Sequence, residues 1–159
     1  MKKGVVIVID RHSASAVRVL VVEDFEPFRR LICSMLRKMP GLQIVGEVSD
    51  GLEAVRKAAE VQPGLILLNV GLPSLSGIEV ARRIRELAPA SRLIFVTQES
   101  DPVIVHEALD VGALGYVVKT RIASDLLSAV DAVLGGRQFV SGGLLAPEFA
   151  TQATITRIS

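Results

Sequence analysis

Five polar side chains of this sequence stand at or directly after the ends of short apolar runs. Glu23 and Asp24 follow VRVLVV, Asn69 follows LILL, Thr97 ends RLIFVT, and Lys119 follows GYVV. If those runs are neighbouring strands, two carboxylates, an amide, a hydroxyl and an ammonium converge on one rim of a sheet. Each residue taken singly is also explained as a solvated loop residue or a helix cap. Asn69 lies at the carboxyl end of a predicted buried strand, where a reactive side chain would be expected. The role of its amide therefore determines whether the site belongs to a catalyst, a switch or a binding surface.

The elements that must position these side chains alternate from residue 17 onward. Each apolar run is followed by a stripe of apolar residues at three- and four-residue spacing, which predicts an amphipathic helix. The predicted strands are VRVLVV, LQIVGEV, LILLN, RLIFVT and GYVVK. Asp24 is a candidate cap of the first helix. The five helical patterns cover about Phe25–Met39, Leu52–Ala59, Ile78–Ala88, Pro102–Val111 and Ala123–Leu134.

These five strand and helix units predict the fold class. Strands that are apolar on both faces require helices on both faces of a parallel sheet, so we expect a doubly wound α/β fold with a five-stranded parallel sheet. Ligand sites of such sheets lie outside the carboxyl ends of the strands, at the point where the strand order reverses. The five polar side chains stand at those ends.

Composition indicates one soluble domain with no means of its own to bind nucleic acid or a membrane. A chain of 159 residues is long enough for a sizeable core, and its 18 basic and 17 acidic residues nearly cancel. No apolar run approaches the roughly 18 residues of a membrane span, and Val5–Ile9 is too short for an export signal. The single cysteine, Cys33, occupies an apolar helix position, which predicts a packed thiol and a reducing cytoplasm.

Four motifs, VLVVED, LILLNVGLPSLSGIEV, FVT and GALGYVVKT, resemble in order and spacing those of the CheY-like receiver domain of bacterial response regulators. The resemblance runs from about Val17 to Leu134. NVGLPSLSGIE and DLLSAVDAVLGGRQFVS are similar to receivers of the NarL/FixJ (LuxR) type in particular. The resemblance implies a flavodoxin-like sheet with strand order 2-1-3-4-5 and a role in two-component phosphorelay signalling, as part of a transcriptional regulator or through contacts with other proteins. A histidine kinase or another signalling protein is the implied partner, and homodimerisation stays open.

The resemblance also implies roles for individual residues. Glu23 and Asp24 match the acidic pair of a magnesium site, in which Asp24 and the main-chain carbonyl of Gly71 are direct ligands. Oxygen ligands of this kind suit a hard divalent cation. The hydroxyl of Thr97 and the ammonium of Lys119 match the groups that bind a phosphoryl oxygen.

One further residue, Tyr116, matches the aromatic side chain that turns inward when a receiver is activated. Its hydroxyl needs a hydrogen-bond partner or water when the ring is inward. The implied contact surface is the face formed by the fourth helix, the fifth strand and the fifth helix, to which ALGYVVK contributes small and apolar residues.

The sequence departs from the receiver pattern at Asn69, where receivers that take phosphate from a kinase have an aspartate. A carboxylate is a nucleophile that yields an acyl phosphate, whereas an amide nitrogen has a delocalised lone pair and its oxygen is neutral. We therefore expect no phosphorylation and no catalytic activity. Two unit charges about 4 Å apart interact by roughly 4 kcal/mol at a dielectric near 20, so losing one carboxylate weakens magnesium binding. Whether Asn69 is natural or engineered stays open.

The chain is expected to divide into three parts: an N-terminal extension at 1–16, the receiver domain at 17–136, and a tail or truncated linker at 137–159. The tail has too little length and charge for a helix-turn-helix, so we expect no nucleic-acid binding by this chain alone. Whether a DNA-binding domain follows in a longer parent protein stays open.

A small α/β phosphohydrolase that uses Asp24 and Lys119 is the alternative function. Such an enzyme needs a nucleophile at the rim of the sheet, and Thr97 has no histidine base in the pattern. His12 lies in the N-terminal extension and His106 in a predicted helix, where a surface imidazole is the ordinary interpretation. The sequence therefore favours a signalling module.

Overall fold

A computed structural model describes residues 16–144, in which strands and helices alternate along the chain. The strands are β1 Val17–Val22, β2 Leu42–Val48, β3 Leu65–Leu68, β4 Arg92–Thr97, β5 Gly115–Val118 and β6 Phe139–Val140. The helices are α1 Glu26–Leu36, α2 Gly51–Val61, α3 Gly77–Leu87, α4 Pro102–Asp110 and α5 Ile122–Leu134, with a short 3-10 turn at Lys119–Arg121 before α5. The predicted extension before residue 16 and the tail beyond residue 144 lie outside the described residues. No helix within 16–144 has the length and apolar character needed to cross a bilayer.

The strands form one parallel sheet in the order β2-β1-β3-β4-β5-β6. The predicted α/β class, the order of the first five strands and the helices on both faces are confirmed. The sheet has six strands rather than the predicted five, because Phe139 N and Ser141 N donate 2.9 Å hydrogen bonds to Leu114 O and Tyr116 O. Two residues are too few to produce a recognisable strand pattern in the sequence.

Successive residues of each strand face two separate hydrophobic cores. In β1, Val19 and Val21 pack with α1 and α5, whereas Leu20 and Val22 pack with α2, α3 and α4. Cys33 is buried in the first of these cores, which confirms the predicted packed thiol. Burial, with a contribution from a neighbouring glutamate, raises the pKa of the Cys33 thiol to about 11, so the thiol stays protonated near neutral pH.

Three of the helices begin at a side-chain cap that accepts a main-chain N–H of the first turn. The caps are Asp50 for α2, Ser76 for α3 and Asp101 for α4. By contrast, α1 begins after Phe25 without a side-chain cap. The prediction that Asp24 caps α1 is wrong, because the carboxylate of Asp24 faces the end of β3 instead.

Arginines near the starts of two strands satisfy the carbonyl groups at the ends of two helices. Arg92, the first residue of β4, donates from Nη1 to Val133 O at 2.9 Å and to Leu134 O at 2.6 Å, at the end of α5. Arg18 of β1 makes the equivalent contacts at the end of α2. The last carbonyls of a helix have no partner within the helix and form its negative end, so a guanidinium stabilises them.

Replacing this guanidinium tests how much it contributes to stability. We expect Arg92→Ala to lower the free energy of unfolding by about 1–2 kcal/mol, because hydrogen bonds to charged groups are worth roughly 1.5–3 kcal/mol and this one is partly exposed. Urea denaturation followed by circular dichroism measures the change. The control is Arg137→Ala, whose exposed ion pair with Asp131 spans 3.7 Å and should contribute little. Equal effects of the two substitutions would contradict this role for Arg92.

Candidate functional site

The carboxyl ends of β1, β3, β4 and β5 meet at one edge of the sheet, around a cleft of about 330 Å³. This is where the strand order reverses, since β2 and β3 lie on opposite sides of β1. Six of the seven residues selected from the sequence line the cleft: Glu23, Asp24, Asn69, Gly71, Thr97 and Lys119. The seventh, Tyr116, lies in the core behind it.

The side-chain amide of Asn69 bridges two loops at the floor of the cleft. Its Nδ2 donates to Asp24 Oδ1 at 3.3 Å and to the main-chain oxygen of Gly71 at 3.1 Å. The bond to Gly71 lies towards the long end of ordinary N–H···O distances and the bond to Asp24 slightly beyond it, so each bond is modest. Asn69 is largely buried, so its two amide hydrogens need acceptors within the protein. The amide therefore holds the β1–α1 loop to the β3–α3 loop.

The second fixed contact of the cleft is an ion pair between Glu23 and Lys119. Lys119 Nζ lies 2.9 Å from Glu23 Oε1, which accepts no hydrogen bond of good geometry, so the attraction is Coulombic. Oε2 of the same carboxylate accepts a 2.9 Å bond from Phe25 N. The ammonium also lies 4.5 Å from the ring centre of Phe28, in a cation–π contact. Because Glu23 is only 1% exposed, its charge requires this partner.

The loop that contains Gly71 is fastened to the beginnings of α2 and α3. Gly51 N donates to Pro73 O at 3.0 Å, and the hydroxyl of Ser74 donates to Asp50. Gly77 N closes the turn with a 2.7 Å bond to Val70 O, and a β-carbon at Gly77 would overlap the main-chain oxygen of Asn69. These contacts fix the direction of the Gly71 carbonyl towards the amide of Asn69.

Thr97 and Tyr116 are both attached to Glu99 in the β4–α4 loop. Thr97 Oγ1 accepts a long 3.4 Å bond from Glu99 N, and the hydroxyl of Tyr116 donates to Glu99 O at 2.7 Å. The Tyr116 ring is fully buried and lies 6.0 Å from the ring of Phe95. Burial raises the pKa of Tyr116 well above its usual value, so the phenol stays protonated and remains a donor. The ring therefore occupies the inward position, and its hydroxyl has the partner that an inward ring requires.

Several residues that shape the cleft were missed by the sequence reasoning. Phe25, Gln98 and Glu99 line it directly, and Phe28 contacts Lys119. Phe28 lies within the helical pattern predicted for Phe25–Met39, at the spacing of a core residue. The signal that was available is position, since Gln98 and Glu99 directly follow a strand end and Phe25 directly follows Asp24.

As arranged, the residues of the cleft do not fit a magnesium ion. The two oxygens that the receiver pattern assigns to the metal, on Asp24 and Gly71, both accept hydrogen bonds from the amide of Asn69. Glu23 is neutralised by Lys119, which leaves Asp24 with the only unpaired charge of the acidic pair. No group of three or more acidic, histidine or cysteine side chains within residues 16–144 is placed to hold a metal. The lining also contains no histidine or cysteine to act as a base or nucleophile.

Residues 19–131 match the protein family described as the response regulator receiver domain. The response regulator GacA of Pseudomonas viridiflava is 31% identical over 139 residues, which cover 87% of this chain and 63% of GacA. The transcriptional regulatory protein LiaR of Bacillus subtilis is 35% identical over 121 residues, which cover 76% of this chain and 57% of LiaR. The chain thus spans about three fifths of the length of these relatives.

Solved structures give the same assignment. A two-component response regulator of the LuxR family from Aurantimonas sp. SI85-9A1 superposes with a TM-score of 0.76 at 30% identity, covering 91% of this chain and 100% of that one. The receiver domain of the putative response regulator NarL from Mycobacterium tuberculosis superposes with a TM-score of 0.72 at 29% identity, covering 77% and 99%. The chain belongs to the response regulator receiver domain family of two-component systems.

Proposed function

We propose that this chain is a receiver domain that signals through contacts with other proteins without taking up a phosphoryl group. The observation that carries the proposal is the pair of hydrogen bonds from Asn69 Nδ2 to Asp24 and Gly71. A carboxylate at position 69 would repel Asp24 and favour a cation between them. The amide instead donates hydrogen bonds to the oxygens of Asp24 and Gly71, so these oxygens have partners without a metal or a phosphoryl group.

The proposed roles follow the receiver pattern with one change. Asn69 occupies the phosphoacceptor position but has no nucleophilic oxygen. Thr97 and Lys119 are the groups that would bind a phosphoryl oxygen, and Lys119 instead neutralises the buried Glu23. Tyr116 is the switch aromatic and lies inward with its hydroxyl on Glu99 O. In this arrangement the groups of the receiver pattern have partners within the protein.

Magnesium binding is proposed to be weak. Among the side chains that the receiver pattern assigns to the metal and phosphoryl sites, an aspartate at position 69 would give three carboxylates against one ammonium; with Asn69 there are two, Glu23 and Asp24, against Lys119. Two unit charges about 4 Å apart interact by roughly 4 kcal/mol at an effective dielectric near 20, and the double charge of Mg²⁺ raises this to roughly 8 kcal/mol for each carboxylate. The cation would also have to displace the amide of Asn69 from Asp24 and Gly71, which adds to the cost.

The partners of the domain are proposed to be proteins: a histidine kinase, another signalling protein, or a second copy of this chain. The relatives are response regulators and transcriptional regulators, so we place the domain in a cytoplasmic signalling pathway. Contact with DNA would require a segment other than residues 16–144, whose acidic and basic side chains are interspersed. The phosphohydrolase alternative has no support, since neither the lining of the cleft nor the relatives indicate hydrolysis.

Placing a carboxylate at position 69 tests whether Asn69 is what prevents phosphorylation of the site. We expect Asn69→Asp to gain one phosphoryl group from acetyl phosphate in the presence of Mg²⁺, because the other groups of the receiver pattern line the same cleft. Intact-protein mass spectrometry measures the gain. The wild-type chain and Asn69→Ala are the controls and should keep their masses. Phosphorylation of the wild-type chain would contradict the proposal, and turnover of the donor without a mass gain in either form would favour a hydrolase.

A magnesium titration tests the proposed loss of metal affinity. A site with a dissociation constant of about 0.1 mM stabilises a protein by roughly 2.7 kcal/mol at about 10 mM ligand. We expect Asn69→Asp to show a clear rise in melting temperature of this kind and the wild-type chain to show far less. In the Asn69→Asp background, Asp24→Asn is the matched control and should remove the rise. A large shift of the wild-type chain at submillimolar Mg²⁺ would show that the amide does not compete with the metal.

A further inference from the structure

Residues 139–144, which follow α5, lie along the outer edge of β5 at the level of Tyr116. Val140 of β6 is the register partner of Tyr116, and Ser141 N donates a 2.9 Å hydrogen bond to Tyr116 O. After a turn through two glycines, Leu144 is buried in the hydrophobic core that contains the Tyr116 ring, and Val140 packs against that core. The segment thus binds the main chain of Tyr116 and shares a core with its ring.

The hydroxyl of Ser141 fastens the segment to the domain. It donates to Asp125 Oδ2 at 2.8 Å and accepts from Val118 N at 3.1 Å, where β6 is too short to supply a main-chain acceptor. The same carboxylate accepts bonds from Arg121 Nε at 3.0 Å and from the hydroxyl of Ser124 at 2.9 Å. Because Ser141 and Asp125 are both buried, losing this hydroxyl leaves polar groups without partners.

The charge of Asp125 strengthens the attachment. Burial alone would raise the pKa of Asp125, but the hydrogen bonds from Ser141, Arg121 and Ser124 outweigh it and hold the pKa below its usual range. The carboxylate is therefore ionised at neutral pH, and hydrogen bonds to an ionised acceptor are stronger than those between neutral groups. Protonation of Asp125 therefore does not weaken the docking of residues 139–144 near neutral pH.

We propose that residues 139–144 act as an intramolecular clamp that holds Tyr116 inward, so that the state of the face formed by α4, β5 and α5 depends on docking of this segment. If the ring left the core, it would leave a void in the cluster that also contains Val140 and Leu144. If the segment left, the core around the ring would lose Val140 and Leu144, and the main chain of Tyr116 would lose its bond to Ser141. The two positions are therefore coupled, and each stabilises the other.

The clamp goes beyond the proposed function, because none of its contacts involves Asn69. It also covers the edge of β5, which would otherwise present unpaired main-chain groups to another chain. Displacement of residues 139–144 would release Tyr116 and expose this edge in one event. Docking of the segment can thus change this face without any chemical change in the cleft.

A single substitution tests the clamp. Tyr116 is the only tyrosine and the chain has no tryptophan, so intrinsic fluorescence reports this one ring. We expect Ser141→Ala to raise the acrylamide quenching constant of Tyr116 several-fold with the far-ultraviolet circular dichroism unchanged. The matched control is Ser124→Ala, which removes a hydroxyl from the same Asp125 carboxylate without touching the segment, and should quench like the wild-type chain. An unchanged constant in Ser141→Ala, or an equal rise in both variants, would overturn the proposal.

A second measurement uses the wild-type chain and does not depend on the folding of a variant. Amide hydrogen exchange of Phe139 and Ser141, measured by NMR in low concentrations of urea, gives the free energy of opening of residues 139–144. Acrylamide quenching under the same conditions gives the solvent accessibility of the Tyr116 ring. The clamp predicts that both follow the same dependence on urea. Exposure of Tyr116 while the Ser141 amide stays protected, or the reverse, would overturn it.

Discussion

The carboxamide of Asn69 determines how the rest of the cleft is arranged. Its nitrogen lies between Asp24 and the carbonyl of Gly71 and donates to both. An aspartate at this position would place two carboxylates and a carbonyl dipole together, an arrangement that a cation stabilises. The amide supplies the positive ends of its N–H dipoles instead, so the two loops are joined by the protein alone.

This arrangement leaves the remaining charges in a local pair. Glu23 is nearly inaccessible to solvent and is neutralised by Lys119, whose ammonium also lies over the Phe28 ring. The ammonium follows β5 and is thus held by residues that follow β1, on the other side of the cleft. A receiver arranged in this way does not need an incoming anion to satisfy Lys119, which agrees with a domain whose state is set by protein contacts.

Much of the fold and of the cleft could be predicted from the sequence, for a physical reason. Parallel strands buried on both faces are continuous apolar runs, and their carboxyl ends lie at one edge, so polar residues at run ends such as Asn69 and Lys119 meet in space. The strands β1 to β5 and their order follow from this pattern and from the receiver resemblance. Helix patterns likewise placed the ends of α3, α4 and α5 within a residue of their observed positions.

The contacts that were missed depend on tertiary geometry that has no periodic signal. β6 is two residues long; its main-chain bonds to β5 are supported by a hydrogen bond from the side chain of Ser141 to Asp125. Phe28 has the spacing of a core residue and yet also contacts Lys119. Asp24 resembles a helix cap in sequence, but its carboxylate is held by Asn69 across the cleft. In each case the role of the residue depends on a partner that is distant in sequence, so no local pattern predicts it.

The most direct measurement of the central claim is the side-chain NH₂ signal of Asn69 in ¹⁵N-labelled protein, assigned by its absence in Asn69→Ala. If the amide bridges Asp24 and Gly71, its two hydrogens exchange slowly with water, and millimolar Mg²⁺ leaves their chemical shifts unchanged. Rapid exchange of both hydrogens, or a saturable shift on addition of Mg²⁺, would show that the amide does not hold the two loops and that the cleft is open to the metal.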